Sequence, residues 1–459
     1  MTPRRSRNGC QSCKARRMKC DEARPTCGAC RKKGIACDYK VKLNWLGSVA
    51  QVRAPAEVTR YKRRTKLPPT PESPHIFTPD FSVCRTRITF VESPHPRLAT
   101  KLDPTPEMKF QEHFEFFINV TGVNLVPVPY AENPFTNVLP KLALGDDNLY
   151  DLLVAYGAAH RDMLLRNGNQ SEELVNSLVD KVKQALDVMQ VVNPDSDGAL
   201  TLAAVLSSLD VDRNRPSWRY YAQLVLEMLD RNPRDLSGPH GELHSFVMRL
   251  TAFMEVMGSL SANTFSQLPA VSWWPRWSGS FDYLTGVDLN VLPLFAEVAN
   301  LVQQREYCAL SLHDLAGLYR RGLQIFQLLG DYWFEEYRPV NEISAMCLLF
   351  QQALQVHIYR RLFTFKLEHE YVQRLVARMT RMFDQYIKED STIQCNMAFI
   401  IVTAASEALD PEMRKTYLRR LKTMERAGFA YASSVSSAIV ECWNQNQSYI
   451  GSTRLSLLM

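Results

Sequence analysis

From about residue 107 onward, apolar residues recur at the spacing of helices that bury one face. Phe110, Phe114, Phe117 and Ile118 fall at i, i+4, i+7 and i+8, a single stripe. Leu149, Leu152, Leu153 and Tyr156 repeat it, as do Leu174, Leu178, Val182 and Leu186. Asp410 reads as an N-cap, with Pro411 at the first helical position and Glu412 behind it. Met413, Tyr417, Leu421 and Met424 then line one face, and Gly428 is the expected stop. No stretch offers two successive alternating segments joined by a tight turn, and no fixed-length repeat marks a regular solenoid. The pattern predicts a large all-α domain over 107–459.

Upstream the periodicity fails. Residues 67–106 hold nine prolines, too many for a packed helix or a central strand. A linker, basic and then Pro-rich, is expected over 46–106, with one short strand at 85–91. Leu46, Val49 and Val52 give scarcely one heptad before Pro55, so no coiled coil is expected there. The alternation in 38–45 suits a short extended arm. Thr70-Pro71, Ser73-Pro74 and Ser93-Pro94 have the form of kinase targets, a form that also arises by chance in such linkers.

Charge sharpens this division. The chain has 459 residues and a net charge of +6, but the total hides an asymmetry. Residues 1–66 carry 19 Lys plus Arg against 4 acids, a net of +15, leaving 35 bases and 44 acids, a net of −9, for the rest. The basic end is the one suited to nucleic acid. Within it, residues 60–66 form a second basic run, either a solvated stretch or an import signal with extra phosphate contacts. No apolar run approaches the roughly 18 residues of a membrane helix. No apolar segment follows the positive start either, so a soluble intracellular protein is expected.

The basic end also holds the chemistry. Cys10, Cys13, Cys20, Cys27, Cys30 and Cys37 are spaced C-x2-C-x6-C, then x6, then C-x2-C-x6-C. Zinc takes four soft ligands in a tetrahedron, so two zincs would need about eight thiolates. Six suffice if two sulfurs bridge, and the cluster is then formally about −2. Lys14, Arg16, Arg17, Lys19, Arg24, Arg31, Lys32 and Lys33 surround it, a coat suited to phosphate. A disulfide framework is the plainer account of six cysteines, but it needs an oxidising compartment. The remaining cysteines, Cys84, Cys308, Cys347, Cys395 and Cys442, lack ligand spacing and are expected as free thiols.

Residues 10–37 resemble the fungal binuclear zinc-cluster DNA-binding domain. The match covers the cysteine spacing, the basic run from Lys14 to Lys19, the Cys20-Asp21 step and the Arg24-Pro25-x-Cys27 turn. The resemblance implies two Zn2+ per chain, bridging roles for Cys10 and Cys27, and a loop set by Pro25. It also implies that the helix after Cys13 enters the major groove to read a CGG-type triplet. Arg17 stands where the family reads bases, and Arg16 is the second choice; Lys14, Lys19, Arg31, Lys32 and Lys33 are assigned to phosphate.

The long remainder is similar to the fungal-specific transcription factor domain of the second type. The match rests on Phe110 to Phe117, Asn133-Pro134-Phe135, the run from Val138 to Leu144, Ala158-Ala159-His160, Glu407 to Pro411 and Glu441-Cys442-Trp443. It implies an all-helical regulatory domain beside the DNA-binding one.

Other features favour ordinary explanations. His240 and His244 lie at i, i+4, but Glu242 is not where a zinc protease holds its base, and a helix start is the simpler account. Trp273, Trp274 and Trp277 suit either a core or a ligand wall. Residues 146–153 mix acids with leucines as activation segments do, yet their spacing fits a capped core helix. No glycine-rich phosphate loop or nucleophile elbow appears, so an enzyme is not expected. The expected fold is therefore a Zn2Cys6 domain over 1–45, a linker, and an all-α domain. The expected function is sequence-specific regulation of RNA polymerase II genes in the nucleus. The expected partners are double-stranded DNA, the transcription machinery, and a homodimer mate or hetero-partner held by the helical domain. The alternative is a chromatin or kinetochore scaffold anchored by its zinc cluster.

Overall fold

The computed structural model describes residues 13, 20, 21, 26–33, 106–165, 170–262 apart from 235, 237 and 239, then 266, 281–329 apart from 289, then 339, 341–445 apart from 390, and 450. The extended arm, the absent heptads, the basic run 60–66, the strand at 85–91, the Ser/Thr-Pro pairs, Cys84 and the tryptophans of 273–277 lie outside these residues. The chain divides into two units, Met1–His75 and Ile76–Met459.

In the first unit the described residues hold one helical turn, α1 (Gly28–Arg31), started by Cys27 as N-cap. Its buried cluster consists of Cys13, Cys20, Cys27 and Cys30, with Ala29 packed against them. Among the described residues of this unit, the buried side chains are cysteines.

The second unit is helical, and among its described residues the only β pairing is an isolated bridge, Phe281 with Asp288. Helix α2 (Pro106–Phe116) passes directly into a π-helical turn, Phe117–Thr121. Then come α3 (Asp147–Leu165), α4 (Glu172–Val192), α5 (Asp197–Asp212), α6 (Trp218–Arg231) and α7 (Gly241–Ala262). The later half holds α8 (Leu292–Tyr307), α9 (Leu312–Leu328), α10 (Glu342–His357), α11 (Glu370–Tyr386), α12 (Ala398–Ser406), α13 (Pro411–Arg426) and α14 (Tyr431–Asn444). Sequence neighbours pack pairwise: α3 on α4, α5 on α6, α7 on α8, α10 on α11 and α13 on α14. Two helices run through the middle. Every residue of α12 is buried, and α5 is buried along most of its length, as expected of helices apolar on all sides.

The capping chemistry read from the sequence is in place. The Asp410 carboxylate accepts the Glu412 N–H at 2.7 Å, and Tyr417, Leu421 and Met424 are buried on the inner face of α13. Asp146 accepts the N–H groups of Asn148 and Leu149, so residues 146–153 form the capped start of α3 with Leu149, Leu152 and Leu153 in the core. Helix α7 begins at Gly241, and His244 pairs through Nε2 with Asp197 at 2.9 Å instead of joining His240 on a metal. The π turn departs from the smooth stripe expected through Ile118. Gly157 on α3 explains the local closeness, because a Cβ there would overlap the His113 carbonyl of α2. His160 then links distant parts: its Nδ1 meets Thr121 of the π turn and its Nε2 the Ala427 carbonyl after α13, each at 3.1 Å.

Candidate zinc centre and nucleic-acid interface

Cys13, Cys20 and Cys27 are fully or almost fully buried, and their sulfur atoms all lie within 4.8 Å of one another. Cys13 Sγ and Cys27 Sγ are 3.6 Å apart. A disulfide would bring them to about 2.0 Å. Two thiolates sharing one zinc at about 2.3 Å each stand about 3.8 Å apart in a tetrahedron. The observed separation fits a shared metal. It also answers an energetic objection, because three thiolates gathered in a buried site repel one another unless a cation joins them.

The local backbone supports this arrangement. Cys27 stands at the N-cap of α1 in extended conformation, and its Sγ accepts the Cys30 N–H at 3.4 Å. An N–H aimed at sulfur favours negative charge there. Asp21 supplies a second tie: its Oδ2 accepts the Gly28 N–H at 2.8 Å, joining the segment after Cys20 to the first residue of α1. The sequence carried a sign of this in the Asp that directly follows Cys20, though nothing in it specified the partner.

Cys30 is buried in the same cluster but does not join the close trio. Cys10 and Cys37, along with Lys14, Arg16, Arg17 and Lys19, lie outside the described residues. Arg31, Lys32 and Lys33 are exposed at the end of α1. Arg31 also donates to the Thr26 carbonyl at 3.2 Å, so part of its guanidinium holds the loop before Cys27. Among the described residues, Cys13, Cys20 and Cys27 are the only three metal-ligating side chains brought this close, and no helix is long and apolar enough to cross a membrane.

Comparison with known proteins agrees at both ends of the chain. Residues 8–46 match the Fungal Zn(2)-Cys(6) binuclear cluster domain, and residues 112–453 match the Fungal specific transcription factor domain. Transcriptional regulatory protein pro1 of Neurospora crassa is 42% identical over 64 residues, which are 14% of this chain and 9% of that protein. The Zn(2)-C6 fungal-type transcription factor afumD of Aspergillus fumigatus is 61% identical over 36 residues, 8% of this chain and 10% of that protein. Pestheic acid cluster transcriptional regulator 3 of Pestalotiopsis fici is 22% identical over 286 residues, 51% of this chain and 50% of that protein. The matches thus cover about a tenth of the first two relatives and half of the third. No solved structure matches. These relatives are named as regulators of transcription, not as enzymes. A sulfur-cored N-terminal unit and a helical unit matched over most of its length place this chain in the family of fungal Zn2Cys6 transcription factors.

Proposed function

We propose that this chain is a nuclear, sequence-specific DNA-binding regulator of genes transcribed by RNA polymerase II, reading CGG-type triplets through the major groove. The observation that carries this is the buried trio Cys13, Cys20 and Cys27 beside the exposed cations of α1. Two zinc ions would be held by the six cysteines, with Cys13 and Cys20 on one, Cys30 and Cys37 on the other, and Cys10 and Cys27 shared. When bound, the ions supply the positive charge that offsets the gathered thiolates and the cross-links that stabilise so small a unit.

Each group of residues then has its part. Arg17, with Arg16 beside it, reaches guanine O6 and N7, while Lys14, Lys19, Arg31, Lys32 and Lys33 hold phosphate and set the register. Residues 1–45 bind DNA, 46–106 link, and 107–459 regulate and contact partners. One triplet specifies few base pairs, at about 1–3 kcal/mol each, which is little discrimination against a genome. Pairing of two chains, or of this chain with another DNA-bound protein, through the helical unit supplies the rest. The comparisons lend the scaffold alternative no support. Selection of binding sites from random DNA by the zinc-loaded full chain tests the proposal. Enrichment of CGG-type triplets is expected, and a pool that stays random would overturn it.

A further inference from the structure

The helical unit encloses a cavity walled by α3, α5, α7, α12 and α14. It offers about 80 Å³ to the centres of water molecules. One water needs roughly 10–15 Å³ by that measure, so the space takes several waters or one small organic molecule. Its walls are mostly aromatic and aliphatic, with Phe253, Met254 and Phe399 among them and Ser208, Thr285 and Asn396 adding polar edges.

One polar group in this wall stands apart. Asp212, the last residue of α5, lines the cavity with only 8% of its surface exposed. No hydrogen bond or ion pair reaches its carboxylate among the described residues, and burial alone acts on its proton. The neighbouring hydroxyls are already engaged: Tyr156 meets Ser208 Oγ at 3.1 Å, and Tyr431 donates to the Cys395 carbonyl at 3.1 Å. The adjacent Arg213 turns to Asn176 at 3.2 Å and gives Asp212 no counter-charge. A carboxylate buried without a partner is costly, and in a native fold it calls for one.

We infer that this cavity binds a small organic ammonium ion, its charge held by Asp212 and its apolar body by Phe253, Met254 and Phe399. The wall chemistry sets the class. An anion would meet a carboxylate in low dielectric. A hard divalent cation such as Ca2+ or Mg2+ would need about six oxygen ligands, and Asp212 is the only carboxylate in this wall. An ammonium ion on an apolar body satisfies the carboxylate and fills the remainder by hydrophobic contact with the aromatic and aliphatic wall. Such a ligand would tie the first large helices of the unit to its last ones, since the wall draws on both.

The inference stands apart from the DNA reading, because its test measures binding alone. Zinc-loaded full chain is titrated calorimetrically at pH 8 with benzylamine and with its neutral counterpart benzyl alcohol. Benzylamine should bind at least tenfold more tightly than benzyl alcohol. Asp212→Asn should abolish that preference, with the melting temperature confirming that the variant folds. Should the variant fail to fold, the wild-type comparison of the two probes still tests the inference. Equal affinity for the two probes, no binding of either at millimolar concentration, or a preference that survives in Asp212→Asn would each overturn the inference.

Discussion

Gly28 donates its backbone N–H to Asp21 Oδ2 at 2.8 Å, and a Cβ on residue 28 would lie 2.6 Å from that same oxygen. Glycine is therefore required by proximity, next to the cysteine proposed to bridge both metals. Gly28→Ala should push the Asp21 carboxylate away and lose its charge-assisted bond, worth about 1.5–3 kcal/mol. Asp21→Ala should lose the same bond, and the double variant should cost little more than either single one. Zinc retention against a competing chelator, measured for all three, checks this. Fully additive losses would show that the two residues act separately.

Metal stoichiometry tests the proposed cluster. Zinc-loaded chain should hold close to two ions, and chelation should abolish the fold of the N-terminal unit while sparing the helical signal, because the helical unit has its own hydrocarbon core. Cys27→Ser should lower metal content more than Cys37→Ser if Cys27 serves both ions as proposed. Elemental analysis at one zinc per chain, or equal loss in the two variants, would count against the shared thiolate.

Legibility in the sequence depended on whether a feature was local. Asp410, Pro411 and Gly428 mark α13 because capping is settled within one turn, and the structure shows Asp410 bonded to Glu412 and Gly428 at φ +93. The cysteine rhythm was equally plain, since metal ligands need fixed spacing. Local pattern could not foretell the π turn at Phe117–Thr121, which accompanies the close approach permitted by Gly157, a residue remote in sequence. Nor could it separate Asp210 from Asp212. Both stand near the end of α5 and both are buried, yet Ser217 reaches Asp210 at 2.6 Å and nothing described reaches Asp212. Only the assembled helices decide which acid receives a partner.

Base reading and phosphate holding should separate by mutation. Arg17→Ala should cost roughly 1–3 kcal/mol at the preferred site and flatten discrimination among triplets. Lys32→Ala should weaken all DNA about equally and reduce the salt slope by about one contact. Lys32 is a cleaner probe than Arg31, whose guanidinium also holds the Thr26 carbonyl. Affinity measured across salt and across triplet variants checks both, and loss without altered preference in Arg17→Ala would remove it from the base-reading role.

The contribution of Asp212 to the stability of the helical unit should fall as pH rises from about 4 to neutrality. Burial pushes its carboxyl up to about 7 in the folded chain, against roughly 3.9 when unfolded. A group whose pKa is raised by folding stabilises fully below its unfolded value and loses that contribution as pH climbs through the folded one. The loss amounts to about 4 kcal/mol by pH 8, of which roughly a third has already gone at pH 5. Tyr156, Tyr431 and Cys395, which face Asp212, are all pushed up by burial and stay neutral across this range. His357 acts in the opposite sense: burial and then Arg361 hold it down to about 3, so its contribution is lost as pH falls below its ordinary 6.5. That loss is common to wild type and variant and cancels between them. Asp212→Asn should therefore gain on wild type by about 2–3 kcal/mol more at pH 8 than at pH 5. Denaturant unfolding of both proteins at the two pH values, followed by helical signal, measures the difference. A gap that does not change with pH would mean that the Asp212 carboxylate finds a partner in solution and titrates at its ordinary value.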